Sequence, residues 1–244
     1  MLSSSSSKPG IVFSSDHSLL VTFGIEISHE IHLDVRRLTL ILLDAKKEGV
    51  LNIHPAYSTV LITFDPRIVS FRRLEEHLSR LLMKLNTVEL PRPRSMRIPV
   101  CYEGDFAPDL AYVGSHNGLT PDEVIQKHSS ATYTVYFLGF SPGFPYLGGM
   151  LREIATPRLD TPRLNVAPGS VGIAGEQTGV YPLASPGGWQ LIGRTPLLLF
   201  DPQRNPPTLL QMGDEVCFEP ISRTEYEAHL AQYRSEYEGK SPAA

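Results

Sequence analysis

The sequence predicts an α+β fold in which a small two-layer α/β domain is followed by barrel-like β structure. Two observations lead to this prediction. Between residues 19 and 85 the apolar pattern changes repeatedly between the period of a strand and the period of a helix. Between residues 131 and 220, by contrast, prolines and glycines separate short apolar runs, which is typical of the corners of a β-barrel.

The first half is predicted to contain five elements in the order β-α-β-β-α. They lie at residues 19–23, 28–47, 50–54, 57–64 and 71–85. The first helix has one apolar stripe, carries Lys46 and Lys47 in its last turn, and stops at Gly49. Because neither helix can leave its apolar stripe in water, both are expected to lie on one face of an antiparallel sheet.

The second half is predicted to begin after a linker at residues 91–94, because its two prolines block a helix and remove two strand donors. A helix is expected to start at Thr120, with Pro121 in its first position and Glu123 reaching back to the cap, and to run to His128. Strands are predicted at residues 97–102, 131–140, 171–173, 190–192, 197–200 and 215–218.

Four segments follow from this pattern. We expect a disordered tail at residues 1–10, the α/β domain at 11–92, the barrel domain at 93–222, and a C-terminal helix and tail at 223–244. The serine-rich start lacks the apolar run of a secretory signal, and the apolar runs of the chain are too short to span a bilayer.

The composition narrows the functional classes. A net charge of -4 leaves no basic face for a nucleic acid or for an anionic membrane. Cys101 and Cys217 each lie in an apolar alternating stretch, so we expect reduced, buried thiols and a cytoplasmic location. The sequence has no G-x-x-x-x-G-K-[ST] phosphate loop and no dinucleotide-binding G-x-G-x-x-G motif, and Gly169-Ser170-Val171-Gly172 lacks the G-x-S-x-G spacing of a hydrolase nucleophile elbow.

The histidines that draw attention are predicted to be structural. His29 and His32 have a spacing that two metal ligands can use, but no third ligand lies near them in the sequence, so we expect surface histidines and no metal site. His128 is expected to close a helix, where a protonated imidazole meets the last carbonyl groups.

The candidate functional site is a set of loops rich in proline, glycine and aromatic residues. These loops lie at residues 140–149, 168–173, 177–182 and 186–189. Rigid loops of this kind can aim backbone N–H groups at a developing oxyanion, although each loop taken alone can equally turn a barrel corner.

Side chains around these loops suit a small anionic ligand. Arg158, Arg163 and Arg194 can each bind a carboxylate or a phosphate, unless they are ordinary surface arginines. Gln177 and Tyr181 offer neutral donors, and Trp189 is either core or a ligand platform. The candidate ligand-binding residues are Phe140, Ser141, Pro142, Gly143, Phe144, Tyr146, Arg158, Ser170, Gly172, Gln177, Tyr181, Trp189 and Arg194.

These motifs carry a resemblance to a known family. The run at 133–148, Thr156-Pro157-Arg158, and the segments 169–173, 177–182 and 186–193 together resemble the carboxyltransferase subdomain C/D family, and the likeness extends over residues 19–220. The members of this family include the B subunit of bacterial 5-oxoprolinase, the kinase inhibitor KipI, and the protein known as allophanate hydrolase subunit 1.

The resemblance implies a cyclophilin-like β-barrel and an ATP-dependent 5-oxoprolinase that converts 5-oxoproline to L-glutamate only with partner subunits. The implied partners are a carboxyltransferase subdomain A/B protein, which is the 5-oxoprolinase C subunit, and a LamB/YcsF-type protein, which is the A subunit. ATP with Mg²⁺ is the implied cofactor, and its site is left open between this chain and a partner. By analogy, backbone N–H groups around Gly143 and Gly172 hold the lactam oxygen, while Arg158 or Arg194 takes the carboxylate or a phosphate. No nucleophile or general base is identified.

Two other functions within the family stay open at this stage. The chain can inhibit a sensor histidine kinase as KipI does, or it can be one subunit of a biotin-dependent carboxyltransferase. The second alternative requires a biotin carrier elsewhere, because this sequence has no Met-Lys-Met attachment site.

Overall fold

The computed structural model describes the backbone of residues 9–238 and the side chains of residues 9–233. Contacts between residues divide this part of the chain into two compact units, with the boundary between Arg92 and Pro93. Most of the tail expected at residues 1–10, and the end of the chain at 239–244, lie outside the described residues. Gly10, the last residue of that expected tail, already begins a strand.

The first unit consists of a four-stranded antiparallel sheet and two helices. Its elements are β1 (Gly10–Ser15), β2 (Ser18–Thr22), α1 (His29–Ala45), β3 (Val50–Pro55), β4 (Thr59–Phe64) and α2 (Phe71–Leu82). The strand order is β1-β2-β4-β3. All five predicted elements are present. The strand β1 was not predicted. It lies at the edge of the sheet, and its residues Val12 and Phe13 are exposed.

One face of this sheet carries the core of the first unit. In β4, Val60, Ile62 and Phe64 are buried on alternate positions, and α1 and α2 place their own apolar stripes in the same cluster. Both helices therefore pack on one face, as the sequence predicts. The side chain of Ser28 caps α1 by accepting the N–H of Ile31.

The second unit contains a closed seven-stranded barrel, which confirms the predicted β-barrel. Its strands are β5 (Ser95–Cys101), β6 (Thr132–Leu138), β7 (Pro145–Gly148), β9 (Ser170–Ala174), β10 (Gln177–Val180), β12 (Gln190–Arg194) and β13 (Glu215–Ile221). They run around the barrel in the order β10-β7-β6-β13-β5-β12-β9. The pair β13 and β5 is parallel. Two further strands, β8 (Arg163–Val166) and β11 (Ser185–Gly187), form a separate antiparallel ribbon.

Three helices accompany the barrel. They are α3 (Leu110–Asn117), α4 (Pro121–Ser130) and α5 (Arg223–Glu238). The predicted capping box of α4 is present, since the Glu123 N–H donates to Thr120 Oγ1 and the Thr120 N–H donates to Glu123 Oε2. The helix continues two residues past His128, and α3 was not predicted.

Two sequence expectations are wrong in this unit. Residues 197–200 form a loop instead of a strand, and only Phe200 makes a bridge, to Thr208. Cys217 is half-buried rather than buried, whereas Cys101 is buried and burial raises the pKa of its thiol. Neither cysteine forms a disulfide. Within residues 9–238, every helix is too short or too polar to cross a membrane.

Candidate functional site

A cavity of about 270 Å³ opens on the barrel unit, and its walls are mainly aromatic. Five rings line it: Phe140, Phe144, Tyr146, Tyr181 and Trp189. The remaining lining residues are Arg158, Leu159, Pro162, Pro186, Gly187 and Gly188. We call this cavity the aromatic pocket. Its size suits a small molecule with an apolar face.

Phe144 lies at the centre of the ring cluster. Its ring centroid is 5.1 Å from that of Tyr146, 5.2 Å from that of Tyr181 and 5.4 Å from that of Trp189, with the last two pairs edge to face. These are favourable geometries for aromatic pairs, and Phe144 is almost fully buried. The aromatic walls of the pocket therefore stabilise one another through their own contacts.

A tight loop between β6 and β7 places Phe140 at the mouth of the pocket. The N–H of Gly139 donates to the carbonyl of Phe144 at 3.1 Å, and the N–H of Phe144 donates to the carbonyl of Ser141 at 3.1 Å. Phe140 adopts a left-handed backbone conformation with φ of 66°. That conformation is unfavourable for a residue with a side chain, and here it presents a ring that is 65% exposed.

Glycine at 187 is required by the hydroxyl group of Tyr181. A Cβ on Gly187 would lie 2.3 Å from the Tyr181 hydroxyl oxygen. Burial raises the pKa of Tyr181, and a hydrogen bond from the backbone N–H of Trp189 and the charge of Arg158 oppose the rise. The phenolic O–H of Tyr181 can donate to a ligand.

Arg158 is the cationic group that lines the aromatic pocket. Its side chain is exposed, and it makes no ion pair or hydrogen bond to another of the residues that the structure describes. Its charge also opposes the rise that burial causes in the pKa of Tyr146. A guanidinium without a protein partner can bind a carboxylate with two hydrogen bonds.

The other two candidate arginines do not line this pocket. Arg163 lies 2.7 Å from a carboxylate oxygen of Asp109 and is therefore already paired. Arg194 lines a second cavity of about 330 Å³ between α5 and the barrel. There its Nε donates to the carbonyl of Pro168 at 2.9 Å, and its guanidinium lies 5.5 Å from the ring of Phe106.

The structure brings six of the thirteen candidate residues together, and these are Phe140, Phe144, Tyr146, Arg158, Tyr181 and Trp189. Ser141, Pro142 and Gly143 belong to the β6–β7 loop but do not line the pocket. Ser170 and Gly172 lie in the buried strand β9, and Gln177 begins β10.

The two glycines around which an oxyanion hole was expected do not line the pocket. A Cβ on Gly143 would meet the Cβ of Phe200 at 3.0 Å, and a Cβ on Gly172 would meet the Cβ of Trp189 at 3.0 Å. Gly172 therefore permits close packing of the Trp189 wall, Gly143 permits close packing against Phe200, and neither glycine lines the cavity.

The histidine predictions need correction. His128 does not cap its helix, because its ring is buried in the barrel between Tyr102 and Thr178. Burial lowers its pKa to about 3, so the ring is neutral at physiological pH. His29 is on the surface as expected, but His32 is fully buried, and burial lowers its pKa to about 3.

These features define a class of protein: a two-unit chain whose barrel presents a small aromatic pocket, with an arginine that has no ion-pair partner among the described residues. A profile of the family described as carboxyltransferase domain, subdomain C and D, matches residues 9–210, so the chain belongs to this family. The predicted resemblance is thereby confirmed.

Several relatives are similar over different shares of the chain. The 5-oxoprolinase B subunit of Bacillus subtilis (strain 168) is 42% identical over 224 residues, which cover 88% of this chain and 93% of the relative. The 5-oxoprolinase B subunit of Escherichia coli O157:H7 is 58% identical over 130 residues, which cover 53% of this chain and 60% of the relative.

A solved structure has the same fold. The crystal structure of TTHA0988 superposes with a TM-score of 0.74 at 38% identity over 84% of this chain. The present chain spans only 40% of TTHA0988, so the larger protein contains further sequence beyond the shared part.

Proposed function

We propose that this chain is the B subunit of an ATP-dependent 5-oxoprolinase, which converts 5-oxoproline, ATP and water to L-glutamate, ADP and phosphate. The similarity to the B subunit of Bacillus subtilis supports the proposal, because it extends over 93% of that relative. In this proposal the chain is inactive alone and acts together with partner subunits.

The observation that carries the proposal is the aromatic pocket with Arg158 at its edge. 5-Oxoproline is a five-membered lactam with one carboxylate, so it has apolar ring faces, one negative group and one amide. In the proposed complex the ring packs between the aromatic walls and Arg158 binds the carboxylate. The hydroxyl of Tyr181 donates to the lactam oxygen and orients it.

The lactam is an unreactive amide whose opening is opposed by reclosure, and ATP supplies the driving force by phosphorylating the carbonyl oxygen. In this proposal the chain binds and orients the lactam. The site of ATP and Mg²⁺ is left open between this chain and a partner.

We propose that two further proteins complete the enzyme, one of the subdomain A/B type and one of the LamB/YcsF type. The naming of the similar proteins as B subunits supports this part of the proposal. The smaller share of TTHA0988 that this chain covers is consistent with a family in which the shared fold is joined to further sequence.

Reconstitution with the two candidate partners tests the proposal. The three chains are co-expressed, the mass of the complex is determined, and ATP hydrolysis is measured with and without 5-oxoproline. We expect a stable complex whose ATP hydrolysis depends on 5-oxoproline, and no activity from this chain alone. A complete complex that shows no stimulation by 5-oxoproline would reject the proposal. Inhibition of a sensor kinase, or carboxyl transfer from biotin, would then identify the alternative function.

A further inference from the structure

We propose that Asp109 is a positioning residue that holds the Trp189 wall of the aromatic pocket in place through Arg163. The inference deepens the proposed function, because it concerns the same pocket, but its first test needs neither substrate nor partners. Asp109 carries no recognisable signal in the sequence, since it belongs to no motif.

The carboxylate of Asp109 joins three separate parts of the barrel unit. Arg163 Nη2 donates to both of its oxygens, at 2.7 and 2.8 Å. The backbone N–H of Leu191 donates to the same carboxylate at 2.6 Å, and the N–H of Asp109 donates to the carbonyl of Leu191 at 3.0 Å. The side chain of Asp109 is only 12% exposed, so little water competes for these bonds.

Asp109 lies at the start of a helix but its side chain does not cap that helix. It is the N-cap residue of α3, where an aspartate usually accepts a backbone N–H of its own helix. Asp109 makes no such bond. Its carboxylate instead accepts hydrogen bonds from Arg163 in β8 and from Leu191 in β12.

Arg163 links Asp109 to the wall of the aromatic pocket. It follows Pro162, which lines the pocket, and it pairs in the ribbon with Gly187, which also lines the pocket. Its Nη1 donates to the carbonyl of Trp189 at 3.3 Å. Arg163 therefore connects the two chain segments that form one wall, and Asp109 fixes Arg163 to the barrel.

Asparagine at position 109 is the sharpest change, because it keeps the volume but leaves one oxygen to serve two donors. Its NH₂ group must then face either Arg163 or the N–H of Leu191. The matched control is Asp214→Asn. Asp214 is similarly buried and also accepts both an arginine, Arg94, and a backbone N–H, that of Gln211.

Trp189 reports directly on its own wall because it is the only tryptophan in the sequence and is 6% exposed. In the chain alone, we expect Asp109→Asn to shift its emission to longer wavelength and to raise the acrylamide quenching constant about twofold, since local opening exposes buried groups. Asp214→Asn should leave both unchanged. Unchanged quenching in Asp109→Asn, or an equal rise in Asp214→Asn, would overturn the proposal.

Arg163→Lys provides a second route if Asp109→Asn does not fold. Lysine keeps the charge but cannot reach the carboxylate and the carbonyl of Trp189 together. We expect the same rise in quenching from Arg163→Lys alone, and unchanged quenching would overturn the proposal. Where Asp109→Asn also folds, combining both substitutions should give no further rise. An additive effect of the two would show that they act separately and would overturn the proposal.

Titration with 5-oxoproline, followed by Trp189 emission, separates this proposal from the proposed function. If the wild-type chain binds 5-oxoproline, Asp109→Asn should weaken binding about tenfold, because small displacements of a supporting group loosen a site. If the wild-type chain does not bind it, the assignment of the substrate to this pocket fails, while the quenching comparison still decides the role of Asp109.

Discussion

His128 Nε2 lies 3.0 Å from the hydroxyl oxygen of Thr178, and this pair identifies the tautomer of a buried histidine. The Thr178 hydroxyl donates its own proton to the carbonyl of Gly172 at 3.0 Å, so it accepts from His128. Nε2 therefore carries the proton. Nδ1 then accepts from the hydroxyl of Tyr102, which lies 2.8 Å away.

The buried His128 makes the barrel unit sensitive to acid. Its pKa is lowered from 6.5 to about 3 by burial, so between these values the unfolded chain binds a proton that the folded chain excludes. Stability therefore falls as the pH drops from 6.5 towards 3, by about 1.4 kcal/mol per pH unit, and this histidine contributes no pH dependence above 6.5.

Urea unfolding followed by Trp189 emission checks this prediction, since that tryptophan lies in the barrel unit. We compare the wild type with His128→Gln at about pH 7.5 and about pH 5.5. The variant should be less stable at both values but should lose less stability on acidification. Equal losses in the two proteins would show that His128 does not cause the pH dependence.

Local signals account for the elements that the sequence predicted well. The capping serines and threonines of α1 and α4 are adjacent to the apolar stripes that they introduce, so both helix starts were predicted within a residue. His128 was predicted to cap a helix because it lies at the end of the predicted helix. Its actual partners are distant in the chain, since Tyr102 directly follows β5 and Thr178 lies in β10, and only the closed barrel brings them together.

Six of the thirteen candidate residues line one pocket, and local sequence explains why. The aromatic residues of the β6–β7 loop line the pocket, because rigid loops do present their side chains. Among the arginines, the sequence does not distinguish Arg158 from Arg163. The difference depends on Asp109, which precedes Arg163 by 54 residues and neutralises it. Gly172 does not line the pocket, and in a sequence a glycine that packs against a side chain resembles a glycine that approaches a ligand.

Gly187→Ala is predicted to damage both the pocket and the stability of the barrel unit. The added Cβ would lie 2.3 Å from the Tyr181 hydroxyl oxygen, so the Tyr181 ring must move. We expect a loss of about 1–3 kcal/mol in the free energy of unfolding, which is typical of overpacking, together with weaker binding of 5-oxoproline. Urea unfolding and fluorescence titration measure the two effects.

Gly188→Ala is the control for that substitution. Gly188 also lines the pocket, but the nearest atoms to an added Cβ are 3.6 Å away, which is an ordinary contact. Its stability should stay within about 0.5 kcal/mol of the wild type. If both alanine variants lost the same stability, the close approach of Gly187 to Tyr181 would not be the cause.

Phe140→Gly is predicted to be more stable than Phe140→Ala, which reverses the usual order of these two residues. Glycine is normally less favourable than alanine, but Phe140 has a φ of 66°, where a side chain costs about 1 kcal/mol or more. Both variants lose the exposed ring, and both should bind 5-oxoproline more weakly. Phe140→Gly should nevertheless be the more stable by about 1 kcal/mol in urea unfolding. A more stable alanine variant would argue against strain at this position.

Arg158→Ala is predicted to impair ligand binding while leaving the fold intact. The guanidinium is exposed and has no protein partner among the described residues, so its removal breaks no internal contact. A hydrogen bond to a charged group contributes about 1.5–3 kcal/mol, so binding of 5-oxoproline, and kcat/KM in the assembled enzyme, should fall by about tenfold or more.

Arg152→Ala is the matched control for this arginine. Arg152 is 83% exposed, lies 3.3 Å from Glu176 in a surface ion pair, and does not line the pocket. Its loss should change neither binding nor turnover, because exposed pairs contribute little. Arg158→Lys should bind 5-oxoproline more tightly than Arg158→Ala and more weakly than Arg152→Ala. Lysine keeps the charge but cannot make two parallel hydrogen bonds to a carboxylate. If Arg158→Ala bound 5-oxoproline as tightly as Arg152→Ala, the carboxylate would have to bind elsewhere than at Arg158.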